Sequence, residues 1–119
     1  MMTQQTRRRL TARAVLARKR QDWEDASANA RYRDENTSST DAALLRGREA
    51  AYDYALMITE GYSLPSYHTL AVARRILASH RDQCGLTAAG AAPQSTAWYQ
   101  AVGEEGALND MLDGWEVRS

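Results

Sequence analysis

His80 and Cys84 are the pair in this chain whose types and spacing could do chemistry. Four residues apart on a helix, they share one face. An imidazole and a thiol placed so can act as two metal ligands, or as a base beside a sulfur nucleophile. Either use needs further partners, and nothing nearby in the sequence completes one. His68 falls on a different side of the same helix, and the chain holds one cysteine and two histidines in all. The pair therefore reads as a buried thiol beside a hydrogen-bonded histidine, with no metal and no cofactor. Carboxylates such as Glu104 and Glu105, or Asp22 with Glu24 and Asp25, diverge around a helix and read as solvation. No Gly-rich phosphate loop and no nucleophile elbow occurs in the sequence. The expectation is a protein that is not an enzyme.

Positive charge is the feature that is concentrated. The stretch "TRRRLTARAVLARKR", residues 6–20, holds seven of the fifteen basic residues and no acid. Residues 21–60 carry four basic against nine acidic residues, residues 61–81 three against none, and residues 82–119 one against six, for a net charge of zero. A neutral total argues against a surface built throughout for polyanions, but the banding leaves room for a local basic patch. On a helical wheel Arg9, Arg13 and Arg20 fall together, Arg7 joins Arg18, and Arg8 joins Lys19. Such a helix is basic nearly all round and can bury only a narrow strip, as a projecting arm would. Guanidinium groups bond phosphate and carboxylate alike. These seven residues, with Arg74 and Arg75, are the candidate polyanion- or partner-binding set. If the acidic bands fold back over residues 7–20 the charge is compensated internally; otherwise it is free for a partner.

Four to five helices are predicted to position these groups. The first runs from about Gln4 to Arg33 with an apolar stripe of Ala12, Leu16, Trp23, Ala26 and Ala30. After the polar turn "DENTSST", Ser39 or Thr40 caps a second helix that reaches about Glu60 and carries Leu44, Leu45, Ala51, Tyr52, Ala55, Leu56 and Ile58. Ser63 or Ser66 caps a third, ending at Gly85, with Leu70, Ala73, Ile76, Leu77 and Cys84 inward. A small-residue connector, 86–95, leads to a short fourth helix capped by Ser95 and punctuated by Gly103 and Gly106. The segment "ALNDMLDGWE" then reads as a separate helix presenting Leu108, Met111, Leu112 and Trp115. That face either closes the chain's own core or docks into a partner's groove. Residues 50–78 have the outline of a helix-turn-helix, although Met57 stands where a small residue is usual and Leu64 and Pro65 lengthen the turn.

At 119 residues, with 44% apolar and 25% charged residues, the chain reads as one soluble domain, residues 1–119, of which 1–20 could project as an arm. Abundant alanine, no Phe and few Gly or Pro favour an all-α class, a small helical bundle with a long N-terminal Arg-rich helix. One cysteine excludes an internal disulfide framework and suits a reducing compartment. No apolar run approaches a membrane span, so a cytoplasmic location without membrane contact is expected. Lys19 is the single lysine among the basic residues, an arginine bias typical of GC-rich coding in bacteria and phages. The leading reading is a protein-interaction or regulatory module, an accessory protein of such a source, with a protein partner. The alternative is DNA or RNA binding through the Arg-rich helix and the helix-turn-helix outline. A third arrangement is a homodimer with Leu16 and Trp23 as its seam.

Overall fold

Each helix begins on a hydroxyl side chain that satisfies a backbone N–H left without an intrahelical partner. The computed structural model describes residues 11–34 and 38–115, with helices α1 (Ala12–Asp34), α2 (Ser39–Ile58), α3 (Tyr67–Gly90) and α4 (Thr96–Asp113) and no strand among the described residues. Thr11 accepts from the N–H of Ala14, Ser38 from Asp41, Ser66 from Thr69 and Ser95 from Trp98. At Ser66 the bond is reciprocated by the Thr69 hydroxyl, closing a capping box. The α2 cap is Ser38, one residue before the predicted Ser39. The predicted helix start near Gln4, with Arg7, Arg8 and Arg9, lies outside the described residues.

Two predicted boundaries and one predicted core residue are corrected. Gly85 does not end α3, which continues through the alanine-rich "LTAAG" to Gly90. The predicted fourth and fifth helices are one helix, because Gly103 and Gly106 lie inside α4 with ordinary negative φ. Ile76, predicted inward, sits at the solvent boundary with 36% exposure, while Leu70, Ala73, Leu77 and Cys84 are buried.

The glycines of α2 and α4 explain how these helices meet. A Cβ at Gly47 would lie 2.0 Å from the Gln100 carbonyl oxygen, and one at Gly103 would lie 2.2 Å from that of Leu44. The two backbones touch, each passing through the gap left by the other's glycine. On α2 the buried residues Ala43, Gly47, Ala51 and Ala55 recur every four positions and form the flat face this approach needs. Through that contact α2 lies between α1 and α4, and α4 between α2 and α3, whereas α1 touches α3 lightly.

The core gathers Leu16 and Trp23 of α1, Ala51 and Ala55 of α2, Leu70 and Leu77 of α3, and Leu108 and Leu112 of α4. Trp115 closes it just beyond α4, its ring 5.9 Å from that of Trp23 at 41°. Leu108, Met111, Leu112 and Trp115 are all buried, so the face predicted as a partner-docking helix is packed in the chain's own core. Leu16 and Trp23, proposed from sequence as a homodimer seam, are likewise buried in the chain's own core. The helix-turn-helix geometry is also absent: the α2–α3 connection spans residues 59–66, longer than the tight turn of roughly three or four residues, and α2 packs on α1 and α4 instead. No described helix is long and apolar enough to cross a membrane.

Candidate functional site

The basic residues of α1 divide by their position around the buried stripe. Lys19 and Arg20 flank Leu16 and Trp23 on the helix, so their aliphatic stems lie along the core and their heads find partners at its edge. Arg20 Nη1 donates to the carbonyl of Leu56 at 2.8 Å and to the Thr59 hydroxyl, and that hydroxyl donates to the Ala55 carbonyl at 2.8 Å. The guanidinium thereby covers carbonyls at the C-terminal end of α2, where the helix dipole favours a cation. Lys19 Nζ lies 4.7 Å from the centroid of the Trp115 ring. Burial lowers the pKa of this ammonium, and nearby Asp22 partly opposes the shift.

Arg13 and Arg18 remain exposed. Four acids of the later bands are engaged elsewhere: Glu49 with Arg31 at 3.2 Å, Asp110 with Arg48 at 3.0 Å, Asp82 with Arg81 at 3.4 Å and Glu104 with His80 at 2.6 Å. Among the described residues no acid pairs with Arg13 or Arg18. On α3, Arg75 is exposed, and Arg74 is half-buried with its Nε enclosed and unbonded. Among the described members of the predicted basic set, Lys19 and Arg20 have partners within the fold, whereas Arg13, Arg18 and Arg75 are exposed.

The chemistry-bearing group gathers where α3 crosses α4. His80 Nε2 is 2.6 Å from Oε1 of Glu104, and the imidazole stacks on Tyr54 of α2 with centroids 4.0 Å apart at 20°. Cys84, one turn further on, is buried. One ligand atom each from His80, Cys84 and Glu104 lie within 4.8 Å of one another. Gly85 leaves room for a second carboxylate, for a Cβ there would stand 3.3 Å from Oε2 of Glu105. Burial pushes the Cys84 thiol up to about 12, helped by the carboxylates of Glu104 and Glu105. A Cys–His–acid nucleophile needs the imidazole next to the sulfur and a depressed thiol. Here the imidazole bonds the Glu104 carboxylate, and burial raises the thiol pKa rather than lowering it.

Sequence reasoning found His80 and Cys84 and missed Glu104, which is 24 residues from His80. The available signal was Gly85, a glycine kept inside a helix beside the cysteine, which marks close approach by another element. Elsewhere, a cleft of about 110 Å³ between α1 and α2, lined by residues including Asn29, Arg33, Arg48 and Tyr52, is smaller than ligand pockets of roughly 300 Å³ and above. Compared with known protein families, curated proteins and solved structures, the chain matches none.

Proposed function

We propose that the protein is a non-enzymatic interaction or regulatory module that binds an acidic protein surface through its N-terminal basic band. The distribution of ion pairs supports this reading. Acids of the later bands neutralise Arg31, Arg48 and Arg81, and Arg13 and Arg18 stay exposed without an acidic partner among the described residues. Asp22, Glu24 and Asp25 follow at exposed positions of the same helix. A basic stretch bounded this closely by negative charge suits a protein surface of complementary alternation better than the uniform phosphate line of a duplex.

Fluorescence anisotropy with a labelled glutamate-rich peptide and labelled duplex DNA, at low and near-physiological salt, tests it. The wild-type chain should bind the peptide, and Arg13→Glu with Arg18→Glu should weaken that binding about tenfold. Binding to DNA alone, with a steep salt dependence, would replace this reading by the nucleic-acid alternative. Binding to neither probe would overturn both.

A further inference from the structure

The His80, Cys84 and Glu104 group has features that the buried-thiol reading leaves unexplained. Its three donors are nitrogen, sulfur and oxygen, the ligand set of a borderline-soft divalent ion. They come from two helices, so the cluster exists only in the folded chain. Ligand atoms around a four-coordinate zinc stand roughly 3.5 Å apart, given bonds of about 2.0–2.3 Å. The present separations, 2.6 Å between His80 and Glu104 and no more than 4.8 Å across the group, bracket that value.

The surroundings are those of a supported site. Tyr54 stacked on the imidazole fixes the plane of the ring, as outer contacts do for ligating histidines. Glu105 lies against Gly85, the residue after Cys84, bringing a second carboxylate near the cluster. Neighbouring cations are turned elsewhere, Arg81 toward Asp82 and the Asn109 amide oxygen and Arg48 toward Asp110. Two carboxylates thus face a buried thiol with His80 as their one titratable cation partner among these contacts, an arrangement a divalent ion would neutralise.

We propose that His80, Cys84 and Glu104 bind a zinc-class divalent transition-metal ion that ties α3 to α4. On binding, Cys84 releases its proton to solvent and ligates as thiolate, and the hydrogen bond between His80 and Glu104 opens as both turn to the metal. Three protein ligands leave the fourth position to water or to Glu105.

Cobalt(II) is the probe, added to the full chain after treatment with chelator and reductant. One equivalent should produce a thiolate-to-cobalt charge-transfer band in the near ultraviolet and the visible bands of a four-coordinate ion, both displaced by zinc. Cys84→Ser should remove the charge-transfer band. Glu104→Gln, close in shape and with circular dichroism confirming the helices, should weaken cobalt binding by roughly tenfold or more while keeping the band at saturating metal. Zinc should raise the melting temperature of wild type and leave that of Cys84→Ser unchanged. Absence of the charge-transfer band at stoichiometric cobalt, or wild-type affinity in both variants, would overturn the proposal by placing any bound metal on other side chains.

Discussion

Arg20 shows how a residue of a basic run can belong to the fold. Its guanidinium bonds the Leu56 carbonyl and the Thr59 hydroxyl at the end of α2, while Arg13, two turns earlier, has no acidic partner among the described residues. Arg20→Ala should lower stability by about 1–3 kcal/mol, since it leaves those acceptors without a charged donor. Arg13→Ala should change it by no more than about 0.5 kcal/mol, as exposed substitutions do. Urea midpoints of the two variants check the contrast. Cys84 sets a pH dependence of definite sign. In metal-free protein the folded thiol keeps its proton to about 12, whereas the unfolded thiol loses it near its ordinary value of 9.0. Above about pH 9 the unfolded state therefore binds fewer protons, and stability falls as pH rises toward 12. Cys84→Ser should flatten this slope in unfolding curves measured between about pH 8 and about pH 10. At this scale the sequence revealed local pairings well: Ser66 and Ser95 as caps, and His80 with Cys84 on one face. Glu104 was hidden because its meeting with His80 depends on how α4 crosses α3, which no local spacing encodes.

Among the helices, the two central glycines of α4 should respond in opposite ways to the same substitution. At Gly103 an added methyl meets the Leu44 backbone at 2.2 Å, so α2 and α4 must separate. Overpacking of this kind costs about 1–3 kcal/mol and outweighs the gain in helix propensity of roughly 1 kcal/mol. At Gly106 the nearest atom is the Arg48 side-chain Nη1 at 3.6 Å, an ordinary contact. Gly103→Ala should therefore destabilise and Gly106→Ala stabilise by up to about 1 kcal/mol, as thermal or urea unfolding would report. The helical segments and two of their caps, Ser66 and Ser95, were legible because apolar periodicity and hydroxyl residues act within a few positions. The role of these glycines was not. A glycine that ends a helix and one that admits a neighbouring backbone look alike in sequence, so Gly85, Gly103 and Gly106 were read as breaks.

For the molecule as a whole, the closing contact is Trp115 against Trp23 and Lys19. With 4% exposure, its truncation to Ala should cost about 3–5 kcal/mol and lower the urea midpoint accordingly. The all-α class followed from composition, but the spatial order α1, α2, α4, α3 did not, because it rests on the close approach of the α2 and α4 backbones at Gly47 and Gly103. That contact also bears on when the chain can fold. Residue 47 waits for residue 103, and the core stays open until Trp115 is present. As the chain emerges from the ribosome, α1 and α2 can pair early, but α2 keeps its small-residue face exposed until α4 arrives. The native packing of α2 on α4 is consequently completed only late in synthesis, across a long loop that encloses all of α3.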